Sequence, residues 1–151
     1  MWLRLIFACV AFAGLSSCSY VYDVHALVRN GELFFVSDKD WFRERCVRTV
    51  EVVAEDREAV ATSARGDDEV RVGYGTYWRD EVGYDCETRF PIRYGSKLEG
   101  RVPEEARRHG TVAAKSLVRG VVYGITTTSG ATGYGGGRFM LREDGTVRNL
   151  R

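Results

Sequence analysis

The chain is poor in several residue types at once. It has two prolines, Pro91 and Pro103, in 151 residues, and no glutamine at all. Lysine stands at only three of 22 basic positions, Lys39, Lys97 and Lys115. Arginine dominance with no glutamine reads as genome composition rather than as function. Imidazoles are equally scarce: His25 and His109 are the two. No serine sits in a Gly-x-Ser-x-Gly elbow. No Lys-Ser or Lys-Thr follows the glycine cluster at 129–137 in the spacing of a phosphate-binding loop. These gaps leave catalysis without a motif, and the chain reads as a non-enzyme. Carboxylate pairs assemble in space and are not legible this way. A charge excess is also missing, with 22 basic against 21 acidic residues. That argues against nucleic acid or another polyanion as a partner, since such binders show a strong basic excess. Long apolar runs are absent too. The longest, Leu5–Leu15, is eleven residues, whereas a bilayer span needs about 20.

What the N-terminus does have is a secretory signal. Arg4 is the single charge before Asp23, and the apolar run behind it ends in small residues. Leu15-Ser16-Ser17-Cys18 resembles the lipobox of bacterial lipoproteins: an aliphatic residue, two small ones, then the cysteine that takes the lipid. The resemblance implies cleavage before Cys18. Residues 1–17 are then a signal peptide, and 18–151 are one domain tethered through an N-terminal lipid of three acyl chains, palmitate among them. Each buried methylene contributes about 0.8 kcal/mol, so several chains anchor firmly where one holds marginally. In Gram-negative lipoproteins an Asp after the cysteine favours the inner membrane. Ser19 therefore implies the periplasmic face of the outer membrane, if the host has one. A plain secretory alternative uses Ser17 and Ser19 as the small residues and cleaves before Tyr20.

Of four cysteines, Cys9 lies in the apolar leader. In the lipoprotein reading Cys18 carries the lipid. Cys46 and Cys86 remain, an even pair in an oxidising compartment, and a disulfide between them is expected. Two separate buried thiols are the alternative. A zinc site is not expected, because the pair lacks zinc-ligand spacing and both histidines are far from it in sequence. Asp38 with Asp40, and Asp67-Asp68-Glu69, lack the loop pattern of a calcium site. No cofactor is expected. Without its leader the chain has 134 residues, enough for one core, with 21 charges of each sign.

The mature chain patterns as strands. Residues 20–24 alternate, leaving little linker after Cys18. Val24–Val28 and Leu33–Val36 flank Asn30-Gly31, a strong hairpin signal because both residues tolerate positive φ. Val47, Val50, Val52 and Val53 mark a strand over Cys46–Glu55. Val70–Trp78 alternates, and Arg79–Gly83 reads as a turn. Tyr84, Cys86, Thr88, Phe90 and Ile92 share one face of a next strand, which aims Cys86 inward. Pro103, Glu104 and Glu105, Arg107 and Arg108, then Gly110 predict one short helix over 102–110 with charges matched to its dipole. Gly120–Thr128 reads as a strand and Ser129–Gly137 as a glycine loop with Tyr134 exposed at its tip. If that loop meets a partner, Tyr134 and Arg138 are the contacts, as exposed aromatic and arginine residues often are. A last hairpin is predicted around Glu143-Asp144-Gly145.

Leu117-Val118-Arg119-Gly120-Val121-Val122-Tyr123 resembles the tyrosine corner of immunoglobulin-like and fibronectin type III domains. There a tyrosine hydroxyl bonds back to the main chain a few residues upstream. Arg119 stands where proline is usual. The resemblance implies an all-β, immunoglobulin-like antiparallel sandwich of about seven or eight strands. A small barrel is the other outcome of the same strand pattern. With the leader, this implies a membrane-anchored periplasmic lipoprotein in protein binding or envelope structure, its partners the membrane and another envelope protein. The alternative is a lipoprotein inhibitor of a periplasmic or host hydrolase.

Overall fold

The computed structural model describes residues 19–39, 45–55, 75–104 and 110–151. The leader and Cys18 lie outside the described residues. The described residues are all-β. Eight strands form one mixed, curled sheet: β1 (Tyr20–Arg29), β2 (Glu32–Ser37), β3 (Val47–Ala54), β4 (Thr76–Glu81), β5 (Ile92–Arg93), β6 (Val122–Ser129), β7 (Gly133–Leu141) and β8 (Val147–Leu150). Their order is β4-β3-β6-β7-β1-β2-β5, and β8 also pairs with β7. The sheet is not purely antiparallel as expected. β1 runs parallel to β7, with Tyr20 opposite Gly133 and Asp23 opposite Gly136. That pairing puts the first strand of the domain in the middle of the sheet.

Two hairpins fall where the turn residues place them. Asn30 (φ 52°) and Gly31 (φ 80°) both take the left-handed conformation that matches the twist of a two-residue turn between β1 and β2. Gly145 (φ 80°) closes the β7–β8 turn, where the Asp144 carboxylate accepts from the Thr146 amide at 2.8 Å and from its hydroxyl at 2.6 Å. Those bonds hold the Asp144 carboxyl below its usual range.

β3 is the valine strand the sequence predicts. Val47, Val50, Val52 and Ala54 point into the core. The step of three from Val47 to Val50 breaks a period of two. The β3–β6 register slips between Val47 and Thr49, which returns Val47 to the buried face. A second slip opposite Val52 and Val53 leaves Tyr77 as the extra residue of β4. Neighbouring rings would ordinarily face opposite ways, yet Tyr77 and Trp78 are both buried. Tyr77 meets Tyr123 edge-on at 5.0 Å, and Trp78 stacks on Phe35 of β2 at 6.3 Å.

Trp78 and Phe35 come from strands far apart in the order, so their contact reports the curl. Tyr94, just past β5, completes it. Its hydroxyl donates to the carbonyls of Tyr77 at 3.2 Å and Lys115 at 2.8 Å. The core inside is aromatic, with Phe35, Trp78, Tyr77, Tyr123 and Phe139 joined by ring contacts of 5.0–6.3 Å.

Several expectations are corrected. Arg79–Gly83 is not a turn, because β4 continues through Glu81. Arg79 pairs there with Glu51 at 3.1 Å and Glu81 at 3.0 Å, so charged residues ride the outer face of a strand. Tyr84–Ile92 is not a strand beyond Ile92 at its end. Pro91 offers no N–H to a ladder. The stretch is held by single bonds instead, such as Val47 N–H to the Thr88 carbonyl at 2.8 Å. Cys86 still reaches Cys46, with Cα atoms 5.5 Å apart in a disulfide. The helix expected over 102–110 falls largely outside the described residues, and among those no helical element occurs. The start of the expected strand at 70–78 likewise lies outside them.

The largest correction concerns 129–137. The turn is only Gly130–Thr132, and Gly133–Leu141 is a full strand. Its inward positions are Gly133, Gly135, Gly137 and Phe139. Tyr22 of β1 lies over Gly135: a Cβ there would sit 2.2 Å from the ring. The ring crosses the glycine strand, and its hydroxyl bonds Thr127 at 2.8 Å and Ser129 at 2.9 Å on β6. Two buried hydroxyls are thereby satisfied by a third. Burial nevertheless pushes the Tyr22 hydroxyl up, and the bonds to Ser129 and Thr127 oppose that.

Tyr123 is fully buried, and its hydroxyl accepts from the Val118 amide at 2.8 Å. Such a bond from a tyrosine hydroxyl to the main chain a few residues upstream is what the resemblance at 117–123 implies. Tyr123→Phe is expected to cost about 1 kcal/mol, the net value of one such hydrogen bond. Urea unfolding should show a lower midpoint with an unchanged slope; an unmoved midpoint would deny the corner a structural role.

Candidate functional site

β1 leaves β7 after Asp23 and turns to pair with β2 over its whole remaining length. β8 takes its place beside β7, with Arg138 opposite Leu150. One edge of β7 is therefore shared by two strands. Where they part, a cavity of 410 Å³ opens, lined by Asp23, His25, Gly136, Arg138, Leu150 and Arg151 among others. Glycine at 136 leaves its floor bare. Beyond it, Asn149 of β8 bridges the gap to β1. Its side-chain carbonyl accepts from Ala26 N–H at 2.7 Å, and its amide donates to the Ala26 carbonyl at 2.9 Å. One side chain thus does what the next strand would do for that residue.

Arg138 is exposed on the outer face of β7, but its guanidinium is engaged. Nε and Nη2 each donate to a carboxylate oxygen of Glu55 at 2.6 Å, and Nη1 donates to the main-chain oxygen of Arg151 at 3.3 Å. Hydrogen bonding from Arg138 holds the Glu55 carboxyl below its usual range. Glu55 raises Arg138 in turn. This fork joins the end of β3 to β7, and an exposed pair of this kind contributes little stability. Arg138 is thus a wall of the cavity and a strap between strands.

Tyr134 is half exposed and sits on the same outer face, four residues and about 13 Å away along the strand. It does not line the cavity. Its neighbour is Val21, directly opposite on β1 and 68% exposed. The two predicted contacts therefore belong to separate places: Arg138 to the groove between β1 and β8, Tyr134 to the end of the sheet where the domain begins. Sequence reasoning missed Glu55, Asp23 and His25 beside Arg138, and Val21 beside Tyr134. A signal for Val21 existed, since it breaks the polar side of the Val21, Asp23, His25 alternation.

The groove brings a carboxylate and an imidazole, from Asp23 and His25, beside a guanidinium already held by Glu55 and the Arg151 main chain. Among the described residues, no three His, Cys, Asp or Glu side chains are grouped to hold a metal ion. Compared with known protein families, curated proteins and solved structures, the chain matches none.

Proposed function

We propose that the protein is a lipid-anchored component of a bacterial envelope, on the periplasmic face of the outer membrane where the host has one. The observation that carries this reading is Leu15-Ser16-Ser17-Cys18 at the end of the apolar leader. Two other features support it. The first strand starts at Tyr20, so only Ser19 stands between it and the proposed lipid-bearing position. The bridge between Cys46 and Cys86 suits an oxidising compartment.

The role is presentation without catalysis. Lipid on Cys18 fixes the domain at the membrane, and the outer face of β7 and β8 meets another envelope protein. An immunoglobulin-like sandwich is the fold relationship proposed, supported by the Tyr123 back-bond to Val118. A hydrolase inhibitor needs a loop long enough to enter a cleft; the segment 129–137, expected as such a loop, is a three-residue turn and does not supply one.

Mass spectrometry of the protein taken from membranes tests the anchor. The N-terminal peptide should begin at Cys18 and carry three acyl chains; an unmodified N-terminus at Tyr20 would overturn it. Crosslinking in intact cells should then recover an envelope protein through the β7–β8 face.

A further inference from the structure

We infer that the end of the sheet formed by Tyr20, Val21 and Tyr134 sits in the headgroup layer of the bilayer that holds the Cys18 lipid. The inference rests on the anchor reading above and adds which surface the anchor presses against the membrane.

Reach makes the first part of the case. Tyr20 is two residues from Cys18, and two residues of extended chain span at most about 7 Å. The headgroup layer on one side of a bilayer is about 5–8 Å thick. An acylated Cys18 lies at that depth, so β1 begins within or against it. Tyr134 is carried along, because it is the partner of Val21 across the parallel β1–β7 ladder, about 4.8 Å away.

Surface chemistry makes the second part. Val21 is 68% exposed and Tyr134 is 52% exposed, side by side. Tyr20 beside them is 38% exposed, under the Arg45 guanidinium at 5.9 Å. Tyrosine suits this depth, since its ring is apolar and its tip is wet. Lys39 donates to the Val21 carbonyl at 2.6 Å, which places an ammonium on the same rim. Asp23 and Asp38 stand there too, and the Asp38 carboxylate accepts from the Asp23 amide at 2.9 Å. Charge on the rim is therefore mixed, and contact is driven by apolar surface and by the lipid, not by anionic headgroups. Val118, 47% exposed, precedes β6 at the opposite end of the sheet and gives an internal reference.

The test uses the acylated full-length protein in phosphatidylcholine vesicles containing lipid brominated close to the headgroup. Tyr134→Trp and Val118→Trp are compared, with Val21→Trp as a second probe of the membrane end. Fluorescence of the unsubstituted protein is subtracted. The indole at position 134 or 21 should be quenched at least twofold more than the one at 118. The mass of the N-terminal peptide is read on the same sample. Acylated protein with equal quenching at both ends would overturn this inference and leave the anchor standing. Protein found without acyl chains would overturn the anchor and the inference together.

Discussion

Gly137→Ala is expected to cost about 3 kcal/mol of folding stability, or more, although it adds a single methyl group. A Cβ at this position would lie 2.0 Å from the Val24 carbonyl oxygen and 3.0 Å from its carbon. Both are main-chain atoms, so no rotamer change makes room. Relief requires β1 to move off β7, just where β1 leaves the parallel ladder. Moving it unseats Tyr22 and its bonds to Thr127 and Ser129. Overpacking in a close-packed interior costs about 1–3 kcal/mol when side chains can shift, and this site is worse than that. The neighbouring glycine is the control. A Cβ on Gly136 meets nothing nearer than the Ile125 carbonyl oxygen at 3.9 Å. Gly136→Ala should be neutral or slightly stabilising, because it narrows the unfolded ensemble. Thermal unfolding should separate the two variants by about 10 °C for a domain of this size. Equal transition temperatures would refute the account of why this strand is glycine.

The double variant Cys46→Ser, Cys86→Ser is expected to lose about 4 kcal/mol. The bridge closes a loop of 40 residues, and the chain-entropy relation gives about that value. Its position adds to the effect. Cys46 directly precedes β3, while Cys86 lies in the stretch between β4 and β5 that has no ladder of its own. That stretch still contributes Val82 and Phe90 to the core, and Leu98 joins them from just past β5. Freed of the bridge, 84–100 should become the first site of proteolytic cleavage, since opening it breaks few strand bonds. Denaturant midpoints that are identical with and without reductant would remove the bridge from the stability of this fold.

Local chemistry is what made parts of the fold legible. Asn30-Gly31 and Asp144-Gly145 announce turns because the turns need left-handed residues at Asn30, Gly31 and Gly145. Valines at 47, 50, 52 and 53 announce β3. The glycine strand was illegible for the opposite reason. Glycine is depleted in strands, and what requires it here is the Tyr22 ring and the Val24 carbonyl, more than 100 residues earlier in the chain. Alternation over 84–92 misled because Pro91 cannot join a ladder and a disulfide can hold what strand pairing does not. At the candidate site, Arg138 and Tyr134 stood out as residue types. Glu55 and Val21, which decide what each can do, are brought in only by tertiary pairing.

The central position of β1 has a mechanical consequence. If the proposed anchor holds the protein by its first residues, any tug on the domain enters through that strand. Ladder hydrogen bonds run across the strands, so a load drawn along β1 shears its bonds to β2 and β7 together instead of peeling them one at a time. Under the proposed anchor, that load meets a strand bonded to β7 over its first four residues and to β2 over the next six.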